Sequence, residues 1–253
     1  MKIHCTFTFI ITLRGEFLTD KNIEIMRKQI AATIFCFLFA LPLFSQTKTY
    51  FTSGFEMIFS FASIDDNGRD ESSTLRWAPV LNIQSMVNAD LSQNVGVFSG
   101  IAVRNVGYIY DNYTYPGNDY SNKKKFRSYN LAVPLGIKIG NLNGLFLYGG
   151  YEFELPFLYK EKTFENGDKI NKTTGWFSKR QESFQHGFLV GVQFPYGANL
   201  KFKYYLSEFH NRNYVDSNGQ RPYEGLKSHV FYFSLNYNLF RNFDFNTPVK
   251  YTN

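Results

Sequence analysis

The chain is poor in cysteine, and the little it has lies near the N-terminus. Only two cysteines occur in 253 residues, Cys5 and Cys36. Both precede residue 46, where we expect the mature protein to begin, so the mature chain has no thiol and forms no disulfide. We also expect no lipoprotein anchor, because no cysteine follows the N-terminal apolar segment.

Long apolar runs are nearly absent as well. The clearest one covers residues 30–44, about fifteen residues, and follows the basic stretch Met26-Arg27-Lys28. It is too short to span a membrane comfortably as a helix. A basic start, an apolar run and a small residue, Ser45, are instead typical of a secretory signal peptide. We predict a signal peptide at residues 26–45 after a mis-assigned upstream extension, residues 1–25. The alternative is a buried helix.

A strong excess of charge is missing too. The chain has 27 Lys and Arg against 21 Asp and Glu, and residues 46–253 hold 22 bases and 18 acids, a net charge of +4. This excess is small and dispersed along the chain. It therefore gives no support to a nucleic-acid partner.

What the sequence has in abundance is alternation. From residue 128 to residue 140, every odd position is large and apolar and every even position is small or polar. Side chains of a strand alternate between two faces, so one face meets an oily phase and the other a polar interior. Twelve or so residues suits a tilted strand that crosses a bilayer. We predict eight strands of this kind, within residues 51–61, 77–88, 95–104, 128–140, 145–157, 187–194, 200–207 and 230–240.

The predicted connections alternate in length. Short turns lie near residues 90–94, 141–143 and 195–197, whereas residues 64–76, 111–125, 160–182 and 211–227 form long polar connections with turn signals such as Asn-Gly. This alternation is typical of outer-membrane barrels with periplasmic turns and extracellular loops. The predicted fold is an all-β, eight-stranded antiparallel up-and-down transmembrane barrel over residues 46–240. Both termini and a tail at residues 241–253 would be periplasmic, in a Gram-negative outer membrane. A soluble lipocalin-like barrel is the alternative, but its outer face should be polar.

Aromatic residues are frequent, and many fall near predicted strand ends. Phe and Tyr supply 46 of the 253 residues. Amphipathic rings favour the membrane interface. We expect an aromatic belt on the turn side from Tyr50, Tyr196 and Phe240, and on the loop side from Trp77, Tyr110, Tyr129 and Tyr159.

Seven ionisable residues have the parity of the barrel interior. Isolated buried charges are expensive, so these three acids and four bases should pair inside a narrow lumen. They form either an electrostatic plug or a narrow pore whose pairs rearrange. The candidate residues are Glu56, Arg104, Lys138, Glu152, Glu154, Lys201 and Lys203.

Three histidines lie at the loop end of the last three predicted strands: His186, His210 and His229. Adjacent strands could bring them together, which would suit a metal site or an outer-membrane lipid-modifying enzyme. Their parity is that of the lipid-facing set, however, so we interpret them as polar rim residues. No Gly-x-Ser-x-Gly elbow, His-Glu-x-x-His or phosphate loop occurs. We therefore predict no catalytic residue, no metal site and no cofactor.

The long connection at residues 160–182 is basic and aromatic. Such a segment is either simply solvated or binds lipopolysaccharide phosphates or a protein partner. Its cations are Lys160, Lys162, Lys169, Lys172, Lys179 and Arg180, and Trp176 and Phe177 lie among them.

One strand carries a family resemblance. Leu131-Ala132-Val133-Pro134-Leu135, followed by Lys138, resembles the Leu-Glu-Ile-Pro-Leu strand of PorT-type outer-membrane β-barrel proteins. Asn130 and Ala132 stand where that family has Tyr and Glu. The resemblance covers the mature chain in architecture and this strand in motif. It implies an outer-membrane location and a link to secretion across that membrane.

The leading hypothesis is a non-enzymatic outer-membrane scaffold or accessory component in envelope assembly or protein secretion. Its expected partners are outer-membrane lipid, lipopolysaccharide and other envelope or secretion proteins. The alternative is a small channel for ions or for small or hydrophobic solutes, and the remote alternative is a lipid-modifying enzyme.

Overall fold

A computed structural model describes residues 48–114 and 121–244, with backbone only for residues 114, 121 and 239–244. The predicted signal peptide, the upstream extension and residues 245–253 of the predicted tail lie outside this part of the chain. A 3-10 turn occupies Pro195–Gly197. The strands are β1 Lys48–Asp66, β2 Arg69–Ser72, β3 Arg76–Ala78, β4 Ile83–Asp90, β5 Val95–Val106, β6 Ile109–Thr114, β7 Ser121–Gly140, β8 Phe146–Glu165, β9 Asp168–Trp176, β10 Gln185–Gln193, β11 Ala198–Tyr205 and β12 Leu226–Asp244.

Eight of these strands form a closed ring. Its order is β1-β4-β5-β7-β8-β10-β11-β12, and β12 pairs with β1 to complete the ring. Every pairing around the ring is antiparallel. The predicted eight-stranded up-and-down barrel is confirmed. Closure satisfies the backbone hydrogen bonds of both edges, which is the condition for a sheet to cross hydrocarbon.

The outer wall is apolar over its middle portion. On β7, Leu131 is 45% and Leu135 is 59% exposed, whereas Asn130 and Ala132, on either side of Leu131, are fully buried. The same alternation gives each of the eight ring strands at least one exposed large apolar residue. Representatives are Phe55, Ile83, Ile101, Val133, Leu147, Phe188, Leu200 and Leu235. In water a continuous apolar belt of this size would promote aggregation, whereas in a bilayer it meets lipid. The described part of the chain holds no helix that is long and apolar enough to cross a membrane.

The two ends of the barrel differ. One end has tight connections, such as the turn at Tyr196 and Gly197, both with positive φ. At the other end, the predicted loops at residues 64–76, 111–125 and 160–182 contain strands instead, which corrects the prediction. β1 folds back onto β2 through Asn67-Gly68, and β8 onto β9 through Asn166-Gly167. All four turn residues have positive φ, the type I′ geometry that suits a two-residue hairpin. We call these the turn end and the extended end.

The second predicted strand is interrupted. Pro79 cannot donate to a ladder, and the segment between β3 and β4 leaves the sheet, with Leu81 at a φ of 60°. The Asn82 side chain bridges the break. Its Nδ2 donates to the Ala78 carbonyl at 2.7 Å, and its Oδ1 accepts from the Asn105 backbone N–H at 2.6 Å. Hydrogen bonds from side chains therefore replace ladder bonds at this point of the wall.

The predicted aromatic belt is only partly present. Trp77 and Tyr196 are 59% and 88% exposed, as expected of belt residues. Four others are buried, which corrects the prediction: Tyr50, Tyr110, Tyr129 and Tyr159. The alternation of side chains fixes the side of the wall only along one uninterrupted strand, and several of these residues lie beyond bulges. The last strand runs to Asp244, four residues past the predicted end of the barrel.

Candidate functional site

Six ionisable side chains meet inside the barrel. Glu56 comes from β1, Arg104 from β5, Glu152 and Glu154 from β8, and Lys201 and Lys203 from β11. Each is at most 5% exposed. Alternation explains this placement, because each of the six residues is next to at least one apolar side chain that faces outward. We call these six residues the lumen network.

The lumen network is one continuous chain of ion pairs. The Arg104 guanidinium contacts Glu56 and lies 3.0 Å from Glu152 Oε2. Lys203 Nζ is 2.5 Å from Glu152 Oε1 and 2.5 Å from Glu154 Oε1. Lys201 Nζ lies 2.7 Å from Glu56 Oε1. Three carboxylates meet three cations, so the network has no net charge.

Polar side chains satisfy the remaining hydrogen-bonding positions of the lumen network. Asn130 Nδ2 donates to Glu154 Oε2 at 2.5 Å, and the Tyr205 hydroxyl donates to Glu154 Oε1 at 2.8 Å. Ser234 donates to Glu56, and Arg104 donates to Gln84 Oε1 at 3.1 Å. Buried charges that are paired and hydrogen-bonded in this way are held in one arrangement.

Lys138 lies apart from the other six candidate residues. Its Nζ is 2.6 Å from Asp90 Oδ1 and 3.1 Å from the Tyr50 hydroxyl, near the turn end. Asp90 falls in a predicted turn, so the sequence pattern did not mark it as a partner of Lys138. Parity could have found it, because Asp90 is the last residue of β4 and follows the inward-facing Asn88 by two.

An aromatic layer lies beyond the lumen network, toward the extended end. The His210 ring stacks on Tyr223 at a centroid distance of 4.5 Å, and its Nε2 lies 2.8 Å from the Tyr108 hydroxyl. Phe126 packs edge-on against His210 at 4.5 Å. With Phe209, these residues are at most 2% exposed. We call the five of them the outer cap.

The outer cap has an ion pair beside it. Lys124 Nζ lies 2.8 Å from Glu161 Oε1, and Glu161 Oε2 accepts hydrogen bonds from Tyr159 at 3.0 Å and Tyr223 at 2.6 Å. Burial alone would raise the pKa of Glu161, but Lys124 and the Tyr223 hydroxyl bring the pKa below its usual value. The interior is therefore closed by packed, bonded side chains at this level as well.

A small cavity remains between the lumen network and the turn end. Its volume is about 70 Å³, which is room for a few water molecules. Arg104, Glu152 and Lys201 line it, as do Tyr50, Lys138 and Phe146. The cavity therefore ends against the lumen network.

The three histidines do not form one site. His210 is buried in the outer cap, so its predicted position as an exposed rim residue is wrong. It follows β11 after a turn, where strand parity no longer applies. His186 contacts the Tyr151 hydroxyl. The His229 ring stacks on the Tyr204 ring, with the two ring centroids 6.3 Å apart. Within residues 48–114 and 121–244, no three His, Cys, Asp or Glu side chains are grouped to hold a metal ion.

No protein-family model and no curated protein matches the chain. Several solved structures resemble it. The attachment invasion locus protein Ail of Yersinia pestis, in complex with the heparin analogue sucrose octasulfate, has 12% sequence identity and a TM-score of 0.33 and covers 76% of this chain and 97% of its own. Neisserial surface protein A has 11% identity and a TM-score of 0.32, covering 77% and 100%. The outer-membrane protease OmpT of Escherichia coli has 11% identity and a TM-score of 0.30, covering 78% and 97%. Similarity at this level assigns neither a family nor an activity to the chain, and the PorT-type resemblance stays a prediction.

Proposed function

We propose that the chain is an integral outer-membrane barrel that neither catalyses a reaction nor conducts solutes. It would serve as a scaffold or accessory component in envelope assembly or protein secretion, with periplasmic termini. The membrane location is supported by the closed ring and by the apolar belt to which all eight ring strands contribute. The export route is supported by the predicted signal peptide at residues 26–45.

The observation that carries the proposal is the closed lumen. An ion crossing the barrel would have to separate the buried pairs of the lumen network and then pass the outer cap. Removing one partner of a buried pair costs about 3–5 kcal/mol, because the other charge is left uncompensated. An interior whose buried charges are balanced and paired is suited to holding a rigid wall. Function then falls to the surfaces that the wall presents, among them the strands β2, β6 and β9, which are added to the ring at the extended end.

Planar-bilayer recording tests this proposal. Residues 46–253 are refolded in detergent, and the fold is verified by heat-modifiable migration on a gel. We expect the inserted barrel to be electrically silent, while a porin added afterwards to the same membrane gives its usual steps. Discrete, reproducible steps from the barrel itself would overturn the closed-lumen proposal and favour the channel alternative.

The accessory role needs a separate experiment. We expect cross-linking in intact cells, followed by purification in detergent, to recover the barrel joined to other envelope proteins. Replacement of the tip of the β8–β9 hairpin, residues 163–171, by Asn-Gly keeps the buried Glu161 and should reduce this recovery while heat modifiability is retained. A barrel that is always recovered alone would contradict the accessory role and leave the fold untouched.

A further inference from the structure

The outer wall at the extended end carries cations in register. Lys125 on β7 pairs directly with Lys162 on β8, and Lys162 pairs with Lys172 on β9. One step nearer the membrane, Arg127 pairs with Lys160. Like charges directly opposite one another on neighbouring strands are destabilising. Five cations are therefore held together against their mutual repulsion, and we call them the basic patch.

The basic patch faces outward. Lys124, Phe126 and Ser128 on β7 are buried, whereas the alternate residues Lys125 and Arg127 are partly exposed. On β8 the same holds for Lys160 and Lys162, which alternate with buried neighbours. Among the described residues, no cation of the patch forms an ion pair with a carboxylate, although Lys123 nearby pairs with Asp111 at 2.8 Å. In this part of the chain no carboxylate is therefore within ion-pair distance of the patch, although the charge of Lys125 contributes to lowering the pKa of Asp111.

Aromatic side chains lie beside the cations of the basic patch. The Arg127 guanidinium donates to the Tyr129 hydroxyl at 3.1 Å, and Lys160 Nζ lies 5.2 Å from the Tyr129 ring centre. Together with Trp77 and Phe164 the patch lines a groove of about 330 Å³. Partial loss of hydration, and then the charge of Arg127 and of neighbouring lysines, lowers the pKa of Lys162 below its usual value. An anion in this groove would relieve that repulsion.

The apolar belt begins directly below. Leu131 continues the outward face of β7 four residues after Arg127, about 13 Å farther along the strand. Leu131 lines a second groove of about 350 Å³, with Phe55, Ile83, Ile101 and Val103 as its other large side chains. This groove is almost wholly apolar and lies on the lipid-facing side of the wall. A molecule spanning both grooves must be anionic at one end and hydrocarbon at the other.

We infer that the basic patch and the apolar groove form one binding site for a phosphorylated glycolipid of the outer leaflet. The phosphates would lie among Lys125, Arg127, Lys160 and Lys162, and an acyl chain would occupy the groove at Leu131. Lysine and arginine are the phosphate-binding side chains of proteins, arginine because its planar fork can bind two oxygens. This inference rests on the proposed outer-membrane location, and it names the lipid that the wall recognises.

Binding of lipid A, the bisphosphorylated glucosamine lipid, tests the inference. The mature barrel in a zwitterionic detergent is titrated with lipid A and with its fully dephosphorylated form by native mass spectrometry. We expect dephosphorylation to weaken binding at least tenfold, since the basic patch loses its counter-ion. We also expect binding of lipid A to weaken as salt is raised, because exposed charges are screened. Equal affinity for the two lipids would overturn the inference.

Matched variants locate the site. The triple variant Lys125→Gln, Arg127→Gln and Lys162→Gln removes three charges from the basic patch. The control Lys48→Gln, Lys179→Gln and Lys227→Gln removes three charges from exposed positions elsewhere. We expect the first to bind lipid A at least tenfold more weakly and the second to stay within twofold of the unmodified barrel. Equal losses in the two variants would contradict the assignment.

Two further probes separate the lipid from its parts. Inorganic phosphate and the deacylated bisphosphoryl disaccharide should each compete poorly with lipid A, because neither fills the apolar groove. Competition by either at a concentration equal to that of lipid A would overturn the lipid assignment. A barrel that is heat-modifiable and silent but shows no preference for phosphorylated lipid would contradict this inference alone. A chain absent from the outer-membrane fraction would contradict the proposed function.

Discussion

The lumen and the outer wall treat charge in opposite ways. In the lumen, three carboxylates and three cations alternate in an unbroken chain, and every one has an oppositely charged partner within 3.0 Å. On the outer wall of the extended end, five cations lie in register with no carboxylate paired to them among the described residues. The two sets share a strand, because β8 supplies Glu152 and Glu154 to the lumen network and Lys160 and Lys162 to the basic patch.

The difference follows from the surroundings of each set. Inside the barrel no counter-ion can arrive from solvent, so the chain must provide both signs of charge. On the outer wall, solvent and the membrane surface can provide the anion, and repulsion between exposed cations is moderate. Pairing in the lumen therefore indicates a structural role, whereas missing partners on the wall indicate a surface built for something external.

The largest expected effect comes from breaking the lumen chain at its centre. Arg104→Met leaves Glu56 and Glu152 without the guanidinium between them. We expect the free energy of unfolding to fall by about 3–5 kcal/mol, because a buried charge is left uncompensated. Urea unfolding of the refolded barrel in detergent measures this.

A second change tests the electrostatic cause. In the variant Arg104→Met with Glu152→Gln, the pairs Lys201–Glu56 and Lys203–Glu154 remain, and the network is again neutral. We expect more than half of the lost stability to return. If the double variant is as unstable as the sum of the two single variants, the two residues are independent and the pairing is not the cause.

The second-largest expected effect concerns His210 of the outer cap, which stays neutral in the folded protein at a pH where it binds a proton in the unfolded chain. Burial lowers the pKa of His210 to about 3, because it outweighs the opposing effect of the Glu161 charge, and Lys124 lowers the pKa a little further. In the unfolded chain this imidazole binds a proton near pH 6.5. Between these values the unfolded state holds more protons, so the free energy of unfolding falls as the pH falls below about 6.5. One proton corresponds to about 1.4 kcal/mol per pH unit, or about 2 kcal/mol by pH 5.

Urea unfolding at pH 7.5 and pH 5.0 measures this loss. The variant His210→Gln should lose much of the pH dependence over this interval, because glutamine does not titrate. His186→Gln is the matched control, because His186 is half-buried and lies outside the outer cap. An unchanged pH profile in His210→Gln would show that another group is responsible.

The fold was predictable because its signal is local. Alternation within residues 128–140 predicts which side chains face outward on that strand. The same rule, applied to their own strands, predicts that Glu152 and Lys203 face inward. The hairpin at Asn166-Gly167 could also have been predicted from that dipeptide between alternating segments. Alternation cannot predict which inward-facing charges form ion pairs with each other. Glu56 and Arg104 are 48 residues apart, and their contact depends on the stagger of the strands between them.

Two parts of the candidate sites needed the structure. His210 follows a strand end, where the backbone turns and parity no longer tells inside from outside. The basic patch was visible in the sequence as a basic segment at residues 160–182. Its central feature, the direct opposition of Lys125, Lys162 and Lys172, depends on the register of three strands. A register shift of one residue would move each lysine to the other face.

The smallest expected effect comes from the outer wall without its ligand. Lys162 lies between Lys125 and Lys172, so Lys162→Gln relieves two unfavourable cross-strand pairs at once. We expect the free energy of unfolding in lipid-free detergent to rise by a few tenths of a kcal/mol, and the gain to shrink between 20 and 300 mM NaCl. Lys179→Gln, an exposed lysine outside the basic patch, should change neither quantity. A loss of stability in Lys162→Gln, or a gain indifferent to salt, would mean that its charge is already compensated. Removing a cation would then lower stability, or leave it independent of repulsion, on the outer wall as well as in the lumen. The contrast between the two surfaces would be lost.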